Sequence, residues 1–427
     1  MLDIPPEVLA TAFEIGIWEW GISYLPTVCL VCREWNEVAK STPHLWGIIQ
    51  VDTKSRPHRL LAQLSRAKAT PLTIYISRGV HMCKPNLEPV VARLIELSEN
   101  WIGATIPSKI LQRCKWSDLR RSLEDLEITD DECQTLDPRF FDLPERDRSG
   151  PPALRALSIG GIVGVEPLLS PSIRHFVIGQ RGPHYKPIVQ TLDHLRRIPN
   201  VRTLSITGLR PSPLHDYTQV IRLNHLTTLK LTFVPRASQL LSSIVCPALQ
   251  QLTISTTQDS MTPFLSQWCN PIHTPTSLHT LDLEQCIIPT DVPYLIRFLA
   301  RLPELLRLSI FDERLSDAPL LPATDENNIV KALASSSGAR SVSGGSRLCP
   351  ALTTLEMSTD SDFQDLLELA AQRGNTSGSG SMKTLRTVGG YLCAGARAGQ
   401  MIELRQLVEN VECECLGCSM DSLALLT

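Results

Sequence analysis

The chain has 427 residues, 43% of them hydrophobic, so it is long enough for more than one unit with a buried core. Its 41 basic and 44 acidic side chains nearly balance, which argues against a nucleic-acid-binding surface and against a polybasic membrane patch. No run of about 18 apolar residues is present, and Asp3 stands where a secretory signal carries basic residues, so we expect neither a transmembrane span nor a signal peptide. The 13 cysteines lack regular spacing, which favours free thiols in the cytoplasm or nucleus.

The first 46 residues predict a small and unusually apolar cluster of helices. Pro5 and Pro6 suit the first turn of a helix, because proline lacks the N–H that has no partner there. The glycines at 16 and 21 place the end of this helix near Trp18 and Trp20. A second helical run is predicted from Val28 to Val38, and Thr42-Pro43 ends it.

This cluster carries more large apolar side chains than about 45 residues can bury, since domains of that size are marginal on their own. One interpretation is a three-helix core whose side chains pack only on one another. The other, which we favour, is a surface that docks a partner, because surplus apolar area on a small unit marks an interface.

Three strings in the cluster resemble the F-box of fungal F-box proteins: Ile4-Pro5-Pro6-Glu7-Val8-Leu9, Leu30-Val31-Cys32-Arg33-Glu34-Trp35 and Ser41-Thr42-Pro43-His44-Leu45-Trp46. The resemblance covers about a tenth of the chain and implies an F-box-like domain over residues 1–50. It also implies binding to a Skp-type adaptor and, through the adaptor, membership of a cullin–RING ubiquitin ligase. The residues that it assigns to the adaptor contact or its support are Pro5, Val8, Leu9, Val28, Val31, Cys32 and Trp35.

Residues 51–120 are interpreted as a linker with the first elements of a repeat region. Residues 71–76 alternate as a strand, and residues 86–98 have the period of a helix.

From about residue 121 to 390 an apolar-x-x-apolar-x-apolar pattern recurs. Its first residues are Leu123, Leu154, Ile173, Val201, Leu226, Leu249, Leu278, Leu305 and Leu352, and Leu385 starts a weak tenth copy. The first eight starts lie between 19 and 31 residues apart with a mean of 26, close to the 20–29-residue period of leucine-rich repeats. Helical crossovers are predicted at residues 293–302 and 363–371.

Proline supports the repeat interpretation. It stands two positions before the first apolar residue in six of the ten copies: Pro152, Pro171, Pro199, Pro247, Pro303 and Pro350. Proline neither continues a helix nor donates to a sheet, so it marks the start of each strand. The sequence therefore predicts an α/β fold, with a three-helix F-box-like unit followed by an irregular leucine-rich-repeat solenoid and a curved parallel sheet. Because the usual Asn or Cys after the strand is present only at Cys286, the turns must satisfy their backbone differently.

Two Ser/Gly-rich segments, residues 335–346 and 374–381, are predicted loops, and residues 391–427 a C-terminal cap. The cap contains Cys413-x-Cys415-x-x-Cys418, but zinc normally takes four ligands, so we interpret this as a cysteine-rich segment and predict no metal.

Residues between the buried positions of each strand should face the open side of the sheet. Threonine dominates these positions in the middle repeats, which its preference for exposed strands explains. Charged and aromatic residues gather in later repeats, and we predict substrate contacts at Asp282, Glu284, Arg307 and Phe311.

No phosphate-binding loop, His-Glu-x-x-His or Gly-x-Ser-x-Gly motif is present, so we expect no enzyme and no cofactor. The leading hypothesis is a substrate-recognition subunit that binds a Skp-type adaptor and an unknown protein target, without nucleic acid or membrane. The alternative is a leucine-rich-repeat scaffold with no ligase role, in which the N-terminal helices cap the solenoid. A hydrolase hidden in the C-terminal region is the third hypothesis.

Overall fold

The computed structural model describes residues 4–77, 85–129, 136–141, 153–160, 164–179, 188–209, 220–257, 259–271, 273–311, 328–334, 348–357, 363–374, 382–388 and 398–414. The chain divides into two compact units, Met1–His184 and Tyr185–Thr427. The predicted loop at 335–346, nearly all of the one at 374–381, and Cys415 and Cys418 lie outside the described residues.

The first unit begins with three helices and continues as strands that alternate with helices. The helices are α1 Pro6–Trp20, α2 Tyr24–Val28, α3 Arg33–Ser41, α4 Pro57–Ala67, α5 Glu88–Glu96, α6 Ser108–Leu111 and α7 Trp116–Ser122. The strands are β1 Ile48–Val51, β2 Leu72–Ile76, β3 Trp101–Ile106, β4 Asp125–Ile128, β5 Ala156–Ile159 and β6 His175–Gly179. These six strands form a parallel sheet in chain order. The strand and helix predicted at 71–76 and 86–98 are confirmed as β2 and α5.

Helix α1 ends one residue before Gly21, which adopts a φ of 78°. That φ is unfavourable for residues with a Cβ, so glycine suits this position. Gly16 lies inside the helix instead of ending it, and it lets the ring of Tyr24 approach the helix closely. A Cβ at Gly16 would lie 2.2 Å from Cε1 of Tyr24. The absence of a side chain therefore sets the distance between α1 and α2.

The prediction of one helix from Val28 to Val38 is wrong, because α2 ends at Val28 and α3 begins at Arg33. Cys32 is extended, and its Sγ accepts a hydrogen bond from the backbone N–H of Trp35 at 3.5 Å. This cap satisfies a donor that the first turn would leave free, so a new helix starts there. The predicted end is confirmed, since Thr42 follows the last residue of α3.

The N-terminal helices are joined to the first strand through Trp46, which lies in the 3-10 helix Pro43–Trp46. Its indole Nε1 donates to the carbonyl of Ala39 at 2.8 Å, and the guanidinium of Arg66 lies 4.5 Å from its ring centroid. Gln63 on α4 donates to the carbonyls of Ile48 and Trp46, at 2.7 and 3.3 Å. Helix α4 therefore holds the helical cluster against β1.

The second unit is also built from parallel strands. Its strands are β7 Thr203–Thr207, β8 Ile221–Arg222, β9 Thr228–Thr232, β10 Ile244–Val245, β11 Gln251–Ser255, β12 Thr280–Glu284, β13 Arg307–Phe311, β14 Thr354–Met357, β15 Thr384–Val388 and β16 Asn410–Glu414. Its helices are α8 Ile188–Arg197, α9 Ala237–Ser242, α10 Thr262–Trp268, α11 Val292–Leu299, α12 Ile329–Ala334, α13 Phe363–Gly374 and α14 Ala398–Leu407. Strands β8 and β10 pair separately, while the others form one sheet in chain order. The helices predicted at 293–302 and 363–371 are confirmed as α11 and α13.

The recurring apolar pattern is confirmed as a run of parallel strands with inward side chains. The second and third apolar residues of the first nine copies lie within β4, β5, β6, β7, β9, β11, β12, β13 and β14, and all are at most 3% exposed. The predicted register of the tenth copy is wrong. Leu385 pairs with Leu355, the second apolar residue of its copy, so buried Met382 is the first.

The prolines that precede the strands lie in tight turns. In each turn the N–H of the first apolar residue donates to the carbonyl three residues earlier, and proline follows that carbonyl. The turns are Ser170–Ile173, Ile198–Val201, Cys246–Leu249, Leu302–Leu305 and Cys349–Leu352. Proline favours this position because its φ already matches the turn. Pro152 lies outside the described residues.

Several strands also begin next to a carbonyl that accepts two hydrogen bonds. The carbonyl of Thr227 accepts from the N–H groups of both Gln250 and Gln251, at 2.8 and 2.9 Å. The carbonyl of Gln250 accepts in the same way from the first residues of the next strand, His279 and Thr280. In these described repeats, one repeat thus supplies an acceptor to the repeat that follows.

A left-handed residue ends four consecutive strands of the second unit. These residues are Gly208, Phe233, Thr256 and Gln285, with φ between 49° and 65°. The N–H of each donates to the last carbonyl of the next strand, on Thr232, Ser255, Glu284 and Phe311 respectively, at 2.6–3.0 Å. The residue after each, where the repeat consensus has Asn or Cys, is turned inward and buried. A recurring backbone conformation thus replaces the missing Asn ladder, at about 1–2 kcal/mol for each residue with a side chain.

A buried carboxylate connects two successive crossovers of the second unit. Asp291 is fully buried at the end of the 3-10 helix Pro289–Asp291. It accepts from the N–H and hydroxyl of Thr262 at 2.8 and 2.7 Å, and from the hydroxyl of Ser260 at 2.6 Å. The N–H groups of Met261 and Ile288 each donate to it at 3.1 Å. It therefore fixes the start of α10 to the segment before α11.

Candidate functional site

The N-terminal helices expose an unusual amount of apolar side chain. We call this set the N-terminal apolar surface: Ile4, Val8, Ile15, Trp18, Trp20, Leu30 and Val31, exposed by 39–85%. Burying one such side chain is worth roughly 2 kcal/mol. Seven exposed large apolar side chains on so short a segment make this a candidate docking surface.

Helix α1 explains how part of this surface arises, because the helix is apolar on two sides. Leu9, Phe13 and Ile17 repeat every four residues and are buried against the chain. Val8 and Ile15 lie two turns apart on the other side and are more than half exposed. A helix of an isolated domain normally has polar residues on that side.

The core beneath the surface is well packed, so the exposure is not a consequence of loose helices. Phe13 is 1% exposed, and its ring centroid lies 5.2 Å from that of Trp35 on α3. Trp20 at the end of α1 contacts Tyr24 in a tilted arrangement, with ring centroids 5.0 Å apart. These contacts hold α1 against α2 and α3, so the exposed side chains project from helices that are packed together.

The residues assigned by resemblance to adaptor binding fall into two groups. Pro5, Val8 and Val31 are exposed and can contact a partner directly. Leu9 and Val28 are buried, Trp35 is half-buried against Phe13, and Cys32 is half-buried as the cap of α3. The second group supports the helices from within.

Sequence reasoning did not assign five members of this surface to partner contact: Ile4, Ile15, Trp18, Trp20 and Leu30. The two tryptophans were interpreted only as marking a helix end, while Ile4 and Leu30 stood in the F-box-like strings without a predicted contact. Counting both apolar sides of α1 separately would have identified Ile15 together with Val8. Leu30 could be found only once the break between α2 and α3 was known.

The open side of the second unit's sheet carries a row of mostly charged side chains. Parallel register aligns Asp282, Ser309, Glu356, Arg386 and Glu412 on neighbouring strands β12–β16. Ser255, Ser309 and Glu356 keep the alternation of their strands but are buried, so the open side is not uniformly exposed.

Arg307 brings two of these carboxylates together. Its Nη2 lies 3.0 Å from Oε2 of Glu356, and its Nε lies 3.9 Å from Oδ1 of Asp282. Burial raises the pKa of Asp282, and Glu356 raises it further, while Arg307 and a hydrogen bond from Thr253 oppose the shift. The guanidinium of Arg307 is therefore largely neutralised by ion pairs within the protein.

Glu284 and Phe311, the other two predicted substrate contacts, are register partners at the ends of β12 and β13. Glu284 is exposed and Phe311 is half-buried. Within the part of the chain that the structure describes, Glu284 has no basic partner. The four predicted residues thus separate into an ion-paired pair and a pair that is open to solvent.

Five of the described thiols offer little nucleophilic chemistry. Burial raises the pKa of Cys114, Cys246 and Cys349 to about 12, and it also raises the pKa of Cys29 and Cys269. A thiol with a raised pKa stays protonated, whereas a reactive cysteine needs the thiolate. No group of His, Cys, Asp and Glu side chains suited to a metal ion occurs among the residues that the structure covers.

Neither protein-family models nor curated proteins give a match to this chain. Among the described helices, none combines the length and the apolar character that a bilayer crossing requires.

Proposed function

We propose that this protein is the substrate-recognition subunit of a cullin–RING ubiquitin ligase of the SCF type. The N-terminal apolar surface would bind a Skp-type adaptor, and the open side of the second unit's sheet would bind a protein target. The resemblance of residues 4–46 to an F-box supplies the identity of the adaptor.

One observation carries this proposal: α1 and the α2–α3 connection expose large apolar side chains above a packed core. Leu30 is 85% exposed and Trp18 is 67% exposed, although each would gain roughly 2 kcal/mol from burial. Aromatic and large aliphatic residues surrounded by a rigid framework are typical of an interface centre. A protein partner suits this surface better than a small ligand, because its residues project outward.

The test is a binding measurement between the full chain and a purified Skp-type adaptor. Val8→Glu and Leu30→Glu place a carboxylate within the proposed interface, and each should weaken adaptor binding by more than tenfold. Leu61→Glu is the matched control, since Leu61 is 39% exposed on α4, outside the surface. Leu9→Glu is unsuitable, because Leu9 is buried and the change would disrupt the helices themselves.

Absence of adaptor binding by the wild-type chain would sink the proposal, as would wild-type affinity in both charged variants. A reconstituted ligase gives the second readout, in which the chain should bind the cullin only when the adaptor is present.

A second candidate is a repeat scaffold with no ligase role, whose N-terminal helices cap the first strand. The contacts of Gln63 and Arg66 with Trp46 favour it, because they attach the helical cluster to the sheet of its own unit. Deleting residues 1–42 separates the two functions. If these helices are a cap, the deletion should unfold the first unit. If they are a docking domain, the rest of the chain should keep its circular-dichroism signal and its melting transition.

A further inference from the structure

The ends of strands β9, β11, β12 and β13 form a second surface, which we call the strand-end rim: Phe233, Thr256, Glu284, Gln285 and Phe311. Parallel register places Thr232, Ser255, Glu284 and Phe311 in one row, and Phe233 follows Thr232 directly. Phe233 is 58% exposed and Phe311 is half-buried. Two aromatic rings therefore lie along the same edge of the sheet.

Phe233 is an unexpected residue for its position. The equivalent position one strand earlier holds Gly208, which adopts the same left-handed conformation without a steric penalty. A bulky side chain with positive φ is a genuine outlier, and here its ring is exposed as well. At 58% exposure the ring gains little from burial within the described chain, so a contact with another molecule accounts for it better.

The charge of the rim is negative at its centre. Glu284 lies between the two aromatic residues in strand order and has no basic partner among the residues that the structure describes. Arg307 is engaged by Glu356 and Asp282. Lys230 is exposed, but it projects from the middle of β9, two strands away from Glu284 and two residues short of the rim.

We propose that the strand-end rim binds an extended segment of a protein target with two apolar side chains and a Lys or Arg between them. Strands β9 and β13 are three steps apart, or about 14 Å at the usual strand spacing, and four residues of extended chain span about 13 Å. Apolar residues four positions apart would contact Phe233 and Phe311, and a basic residue between them would meet Glu284. This inference rests on the proposed function, because it names the class of target for that recognition subunit.

The experiment measures binding of the full chain to two fluorescein-labelled peptides, Gly-Leu-Ser-Arg-Ser-Leu-Gly and the same peptide with Glu in place of Arg. Wild type should prefer the Arg peptide by at least tenfold. Phe233→Gly should weaken binding of the Arg peptide about tenfold while leaving the fold intact, since glycine suits this φ. Glu284→Gln should remove the preference between the peptides. Val220→Ala and Glu409→Gln, at other exposed positions of the second unit, should bind like wild type.

Equal binding of the two peptides by wild type, or no binding of either, would overturn the inference. Unchanged affinity in Phe233→Gly would do the same. Concentration-dependent dimerisation that Phe233→Gly abolishes would mean that the rim contacts a second copy of the chain, which also overturns it. Adaptor binding is measured in parallel. If the chain discriminates between the peptides but does not bind the adaptor, only the ligase function is contradicted. If it binds the adaptor but does not discriminate between the peptides, only the proposal for the strand-end rim is contradicted.

Discussion

The N-terminal helices and the repeats of the second unit use apolar residues in opposite ways. Of the 14 large apolar side chains that are exposed among the described residues, seven lie in residues 4–31. The second unit's much longer described part contributes only Val220, Phe233, Leu306 and Ile402. In the repeats, strand register assigns almost every apolar residue to the core. In the N-terminal helices, apolar residues form both the core and the exposed surface. Core packing therefore does not explain why the exposed ones are apolar.

Removing Asp291 should cause the largest loss, because five donors depend on its carboxylate. Asp291→Ala leaves buried N–H groups unpaired, and we expect it to lower the free energy of unfolding by about 4 kcal/mol. Asp291→Asn keeps one acceptor oxygen and should cost about half as much. Urea unfolding followed by tryptophan fluorescence measures both. A loss below about 1 kcal/mol in Asp291→Ala would mean that the crossovers do not depend on this connection.

A matched pair of leucines tests the contrast directly. Leu281→Ala removes a fully buried side chain from β12 and should destabilise the protein by about 3 kcal/mol. Leu30→Ala removes an exposed one and should change stability by less than about 0.5 kcal/mol. Adaptor affinity should show the reverse order when measured on folded protein. Similar destabilisation by both changes would remove the distinction between core and surface.

Gly16→Ala should have an intermediate effect, because the new Cβ would overlap the ring of Tyr24. Displacing α2 from α1 is expected to cost about 1–2 kcal/mol and to weaken adaptor binding by moving the exposed side chains. Gly16→Ala combined with Tyr24→Ala should recover stability relative to Gly16→Ala alone. No recovery in the double variant would show that this contact does not set the helix spacing.

Phe233→Gly should stabilise the protein by about 1 kcal/mol, since it relieves a left-handed residue that carries a side chain. Thermal unfolding is the measurement, with Val220→Gly as the comparison at another exposed apolar position. A lower melting temperature for Phe233→Gly would indicate that the ring is needed for folding, contrary to its assignment as a binding residue.

The smallest effect concerns pH. Because burial raises the pKa of Asp282 above its ordinary value of 3.8, the folded chain holds this proton more tightly than the unfolded chain. Asp282 therefore lowers stability as the pH rises from about 3.8 through the raised pKa. Asp282→Asn should lose this component, so its stability should fall less over that interval. An unchanged pH profile would show that the carboxylate is effectively solvated.

The strands were predictable because their signal is local. Each one needs only three apolar residues at fixed spacing, preceded in several repeats by a proline whose φ suits the turn. The predicted register was wrong at Leu385 because Val388 completes the same sequence pattern by chance. The correct register depends on the pairing of Leu385 with Leu355 on the neighbouring strand. The break between α2 and α3 was missed because a cysteine is an uncommon cap.

Other features depend on contacts that are distant in sequence. Phe233, Thr256 and Gln285 share no property that predicts a left-handed conformation, and the acceptor on the next strand selects it. Asp291 receives donors from residues about 30 positions earlier, which no local motif announces. The two apolar sides of α1 were visible in principle, but periodicity does not say which side the chain covers.

The hydrogen bonds at the strand ends of the second unit connect successive strands, which limits where the unit can be cut into stable fragments. Phe233 donates forward to Ser255, and the carbonyl of Thr227 serves the strand that begins at Gln251. A protease cut between β9 and β11 that let the fragments separate would break these bonds together with the backbone ladder between the two strands. Each fragment would then have a strand edge without hydrogen-bond partners. We therefore expect partial proteolysis to produce intact chain or small peptides, with few stable halves.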